Sequence, residues 1–178
     1  MYNDVGNYGS DMEMAAVGLG TILANIFGFF IIDVLSVGFS VICSYFSQKE
    51  EIGFMYQKTL GITFFLCILI TPLLYLNDKL LVLLGFNEGL IRLSSTYLWA
   101  LIPSFYLYSF YETTKNYLQS QGVIYPCLVF GTVSAILHYL LASFMIISCN
   151  FGIMGAAWSK NICYLFTCLV LYLYIIKS

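Results

Sequence analysis

Charge is what this sequence has least of: 9% of its 178 residues are Asp, Glu, Lys or Arg, where a soluble domain carries about 25%. That scarcity excludes a solvated globular surface. With 61% of residues hydrophobic and a mean hydropathy of +0.89, the chain reads as an integral membrane protein whose first partner is the lipid bilayer. Seven basic residues and a net charge of -2 offer no phosphate-binding surface, so nucleic acid is excluded as a partner. Histidine occurs once, and no carboxylates stand in register with it, so no metal is expected. The six cysteines, at 43, 67, 127, 149, 163 and 168, form no Cys-x-x-Cys pair and are too dispersed for a zinc cluster. Inside apolar runs, a free cysteine acts as a small hydrophobe. His-Glu-x-x-His, Gly-x-Ser-x-Gly, the Walker loop and the dinucleotide glycine pattern are all missing. An enzyme and a resident cofactor are therefore not expected, and any solute movement must draw on an ion gradient or another subunit. Asp4, Asp11 and Glu13 are the only charges in the first thirteen residues, which lack the positive start of a signal peptide.

What is present is a series of long apolar runs. A helix needs about 20 apolar residues to cross the hydrocarbon, and the charge-free runs predict an all-α, polytopic membrane helix bundle, a single domain of five helices. They fall at about 13–46, 54–76, 90–119, 123–148 and 153–176. The first is interrupted only by Asp33 and is too long to stay wholly within a bilayer. Leu80 to Phe86 is too short to span and fits a connector lying in the interface. Pro103 falls inside the third helix, where its missing N–H and its ring favour a bend. Between the third and fourth helices lies Leu118 to Pro126. Gly122 can take the left-handed conformation that ends a helix, and Pro126 is tolerated in the first turn of the next, so a tight polar hairpin is predicted.

Lys49, Lys58, Lys115 and Lys177 fall on one side of this topology and Lys79, Arg92 and Lys160 on the other. Four against three makes the first side cytoplasmic and puts the acidic N-terminus outside, so a further helix is expected upstream. Five helices do not divide into two equal repeats. The chain reads as part of a larger assembly.

Gly20, Ala24 and Gly28 recur every four residues, the spacing that lets two helix backbones approach closely in lipid. Phe105, Tyr106, Tyr108, Phe110 and Tyr111 crowd one helix just after Pro103. They suit either a cavity for flat or cationic molecules or lipid contact and core packing. Asp33 lies mid-helix, where an ionised carboxylate costs at least a few kcal/mol. It either serves a proton, an ion or a cationic substrate, or it is kept neutral or pairs with Lys115, Lys160 or a neighbouring hydroxyl. Glu112 and Lys115, three apart, fit a local ion pair. His138 suits proton relay or hydrogen-bonded packing. The candidate ion or substrate residues are thus Asp33, Asn25, Tyr106, Glu112 and His138. Pro103, Gln119, Gln121, Gly122 and Pro126 form the structural motif.

Residues 14–28, Met-Ala-Ala-Val-Gly-Leu-Gly-Thr-Ile-Leu-Ala-Asn-Ile-Phe-Gly, resemble the second membrane helix of the multidrug and toxic compound extrusion (MATE) transporters, eukaryotic branch above all. Cys43-Ser44 resembles the end of that helix, and Leu83-Leu84-Gly85 the segment after the third. Tyr97-Leu98-x-x-Leu101-Ile102-Pro103 resembles the fourth helix. Leu118-Gln119-x-Gln121-Gly122-x-x-x-Pro126 resembles the junction into the fifth, and Leu137-His138 and Gly155-Ala156-Ala157 continue the likeness through the sixth. The resemblance implies a proton- or sodium-coupled antiporter of two six-helix lobes that expels organic cations and other amphiphiles. This chain would supply helices two to six of the first lobe, with the first helix and the second lobe absent. A truncated, non-transporting subunit and a lipid-linked-sugar flippase are the alternatives. Plasma and vacuolar-type membranes both fit. Two positions depart from the family pattern: Ser40 stands where many eukaryotic members have an acid, and Tyr45 where a glutamine usually follows the Cys-Ser pair. Asp33 does not coincide with that acid.

Overall fold

A computed structural model describes residues 3–43, 45, 49–148 and 151–177. Ser44 of the Cys43-Ser44 match, and Cys149 and Asn150 of the last turn, lie outside the described residues. Every regular element among the described residues is helical. The order is α1 (Asn3–Ala24), a π-helical turn (Asn25–Phe29), α2 (Phe30–Cys43), α3 (Lys49–Tyr75), α4 (Asn77–Leu83), α5 (Glu88–Ser120), α6 (Tyr125–Ser143), a second π turn (Phe144–Ser148) and α7 (Gly152–Lys177).

The turns follow from local chemistry. Gly85 and Gly122 both adopt positive φ, 77° and 81°, and each closes a helix. At the first, Gly85 N–H bonds the Val82 carbonyl and Phe86 N–H the Leu81 carbonyl. At the second, Gly122 N–H bonds Gln119 and Val123 N–H bonds Leu118. This paired pattern satisfies the carbonyls left open at a helix end. Val123 then packs beside buried Leu118, and α6 begins with Pro126 in its first turn, so the hairpin has the form its sequence predicts. Asn87 caps α5 by accepting from Gly89 N–H at 3.0 Å, and Glu88 sits against the positive end of the helix dipole.

Four helical stretches, Asp11–Cys43, Glu51–Tyr75, Tyr125–Ile146 and Gly152–Ile176, are long and apolar enough to cross a membrane. The fifth expected crossing, α5, has the length, about 50 Å at 1.5 Å per residue, but not the apolar composition. The reason is its position. α5 packs against α1, α2, α3, α4, α6 and α7, and buries Ser94, Ser95, Ser104, Ser109, Glu112, Thr113, Thr114 and Asn116. A helix walled in by protein meets little lipid, so polar groups are tolerated where neighbours bond them. Tyr56 and Thr114 hydroxyls lie 2.8 Å apart, and Ser36 and Thr113 hydroxyls 3.5 Å. α6 is the converse case: its large apolar side chains Leu128, Val133, Ile136 and Leu140 all face outward.

α1 meets α5 along the small-residue ridge. A Cβ at Gly20 would stand 2.6 Å from a Tyr97 ring carbon, and one at Gly28 would collide with the Phe105 ring. The two glycines thus admit two rings against the α1 backbone. In lipid, that contact stabilises through van der Waals packing and not through release of water. The five described cysteines are free and buried, and several act as weak donors, Cys168 Sγ to the Leu107 carbonyl at 3.1 Å among them.

Candidate functional site

Three helices carry the same stripe. Residues 108, 111, 112 and 115 of α5, 131, 134, 135 and 138 of α6, and 160, 163, 164 and 167 of α7 each follow the i, i+3, i+4, i+7 spacing of one helix face. The three faces converge on a cavity of about 350 Å³, in the size range of small-molecule sites. Glu112, Lys115, His138 and Lys160 bring charge or titratable chemistry to it. Tyr108, Tyr111 and Tyr164 bring rings, and Ser134 and Thr167 bring hydroxyls joined at 2.7 Å.

Asp33 stands behind this wall. It accepts the Tyr108 hydroxyl at 2.5 Å, so the hydroxyl partner is realised and neither lysine pairs with it. Glu112, 7% exposed, pairs with Lys115 and also takes the Asn116 amide on its own backbone carbonyl at 2.9 Å. His138 is half-buried, and its Nδ1 is enclosed with no hydrogen-bond partner among the described residues. Asp33, Glu112 and His138 are therefore gathered round one space. Asn25 and Tyr106 are not. Asn25 opens the π turn with its carbonyl accepting from Phe30 N–H, and its side chain is exposed there. Tyr106 turns to α3, where its hydroxyl lies 3.1 Å from that of Thr71 and its ring meets Phe64 edge-on. The aromatic cluster after Pro103 thus splits: residues one position apart on a helix point about 100° apart, and Tyr106 and Phe110 face α3 while Tyr108 and Tyr111 face the cavity.

Lys160 is the residue the sequence reading misplaces. Counted as a flanking charge, it lies instead among the cavity walls, with Nζ 4.5 Å from the centre of the Phe29 ring. The signal was its stripe mates, Cys163, Tyr164 and Thr167. Lys115 also belongs to the cavity; the two come one from each side of the loop count, so its sign is unchanged. Phe29 closes the π turn and is ringed by Phe105 at 4.6 Å, Tyr108 at 4.9 Å and Tyr164 at 6.3 Å. A π turn carries one residue more than an α turn and shifts the register of side chains beyond it; neither it nor the ring cluster it feeds is readable from periodicity.

Asn161 follows Lys160 and braces the helix opposite. Its amide donates to the Ala100 carbonyl at 2.8 Å, while Ser104 donates to its side-chain oxygen. Those two partners bracket Pro103, which has no N–H for the preceding turn. α5 nevertheless continues as one helix from Glu88 to Ser120.

Helices long and apolar enough to cross a membrane, folded beside a half-open cavity lined by charged and aromatic residues, define a multi-pass membrane protein with a candidate binding site. The sequence model of the MatE family matches residues 4–144, and the chain belongs to that family. Protein DETOXIFICATION 9 of Arabidopsis thaliana is 28% identical over 172 residues, 95% of this chain and 36% of the relative. Multidrug and toxin extrusion protein 2 of Mus musculus is 25% identical over 92% of this chain and 29% of its own length. The crystal structure of a eukaryotic MATE transporter superposes with a TM-score of 0.81 at 20% identity, covering 95% of this chain and 38% of that one, which shows a shared fold. The chain spans about a third of the length of these relatives.

Proposed function

We propose that this chain forms the substrate-holding part of a secondary antiporter, exporting organic cations or cationic amphiphiles in exchange for protons or sodium ions. The observation that carries this reading is the Asp33–Tyr108 bond beside the cavity. A carboxylate inside a membrane helix is costly, and here it lies one phenol away from a ring-lined space of small-molecule size. Ring faces attract cations, and the carboxylate supplies the opposing charge or takes up the exchanged ion. On this reading the intact transporter completes the cavity with a second lobe and alternates access by rocking the lobes about it.

The test is gradient-driven loss of a fluorescent organic cation from vesicles that contain the intact transporter. An imposed proton or sodium gradient is expected to accelerate loss at least severalfold over protein-free vesicles. A rate indifferent to both gradients contradicts the antiport reading.

A further inference from the structure

We propose that Lys160 is a tethered occupant of an organic-cation site, the aromatic box of Phe29, Tyr108 and Tyr164, and that a substrate ammonium enters the box by displacing it. This rests on the reading of the cavity as an organic-cation site and adds what fills that site in its resting form.

The box is the face of Phe29 under the Lys160 ammonium, with Tyr108 and Tyr164 packed beside it. Phe29 and Tyr108 meet edge-to-face at 4.9 Å, and Tyr164 lies 5.3 Å from Tyr108 and 6.3 Å from Phe29. The Lys160 ammonium is 4.5 Å from the Phe29 centroid, within the roughly 6 Å over which a ring quadrupole holds a cation. No carboxylate among the described residues lies within ion-pair distance of it, whereas Lys115, the cavity's other lysine, pairs with Glu112. The face of Phe29 therefore holds the charge. The Tyr108 hydroxyl donates to Asp33, which leaves that ring richer in electrons and puts a carboxyl group behind the box. A primary ammonium on a lysine stem is chemically the head group of an organic cation, but its four-carbon stem is flexible and lets it withdraw. When it does, it uncovers the Phe29 face beside Tyr108 and Tyr164, which are themselves walls of the cavity of about 350 Å³, and that cavity takes the body of the guest.

A tethered competitor has a signature that a merely structural lysine lacks: removing it tightens binding. With the full chain in lipid nanodiscs, calorimetric titration of tetraethylammonium is expected to give a Kd at least tenfold lower for Lys160→Ala than for wild type. Lys160→Arg, which keeps a cation in the box, stays within about threefold of wild type, and adding Phe29→Leu to Lys160→Ala cancels the gain. Lys160→Met keeps the stem without the charge and gives the same gain if the alanine variant loses its melting transition. An unchanged or higher Kd in the neutral variants, with wild type binding measurably, overturns the proposal and leaves the cavity reading standing. Absence of tetraethylammonium binding in wild type and neutral variants alike overturns both.

Discussion

Tyr108 and Asp33, 75 residues apart in sequence, meet through one hydrogen bond of 2.5 Å that ties α5 to α2. Tyr108→Phe keeps the ring and removes the donor, leaving a half-buried carboxylate short of a partner. Loss of a hydrogen bond to a charged group costs about 1–3 kcal/mol, to be read as a lower midpoint in denaturant titration of the micelle-bound protein. Asp33→Asn keeps the shape and removes the charge. In the vesicle assay it is expected to cut gradient-driven loss tenfold or more, and unchanged coupling would remove Asp33 from the mechanism.

The glycine ridge separates two positions that sequence alone treats as equals. Gly28→Ala drives a methyl into the Phe105 ring and is expected to destabilise by about 1–3 kcal/mol, as overpacking does. Gly18, on the same helix, has open space at its Cβ. Gly18→Ala is expected to be neutral or stabilising by up to about 1 kcal/mol through helix propensity. Thermal melts of the two variants should move in different directions, or the first alone should move.

Asn161 bridges the two sides of the turn that Pro103 weakens, so its worth should depend on that proline. Asn161→Leu takes a second donor from the Ala100 carbonyl and the acceptor from the Ser104 hydroxyl, at a cost of about 1–3 kcal/mol. In a Pro103→Ala background the restored N–H closes on the Trp99 carbonyl and braces the same turn, so the same substitution should cost less, with a coupling of about 0.5 kcal/mol or more in the double-mutant cycle. Additive effects would reduce Asn161 to general packing.

Glu112 and Lys115 form the one ion pair among the described residues. Lys115→Met should destabilise by leaving a buried carboxylate unpaired, while Glu112→Leu combined with Lys115→Met should recover most of the loss, because replacing both partners of a buried pair is often neutral. A melting temperature for the double variant as low as that of the single one would show that the pair holds the fold together by more than mutual neutralisation.

The helices, the α4 connector and the hairpin at Leu118 to Pro126 could be read from sequence because each depends on local rules: run length, glycine conformation and proline placement. The glycine ridge was equally plain. What could not be read were the properties set by neighbours. Run length alone makes α5 one more apolar crossing, yet it is polar where other helices enclose it. Tyr106 and Tyr108 looked equivalent until packing assigned one to α3 and the other to the cavity. Lys160 reads as an edge charge because it stands close to the start of its helix, and only its stripe with Tyr164 and Thr167 shows where it faces. Phe29 reaches the site through a π turn that hydrophobic periodicity does not announce.

The central claim is that the α5–α6–α7 cavity is where an organic cation binds. A photoactivatable quaternary ammonium, crosslinked to the nanodisc-embedded protein and mapped by peptide mass spectrometry, tests it most directly. The account predicts adducts on Tyr108, Tyr111 or Tyr164, suppressed by excess tetraethylammonium. Adducts concentrated instead on the α3-facing cluster around Tyr106 and Phe64, or labelling that excess tetraethylammonium leaves untouched, would contradict it.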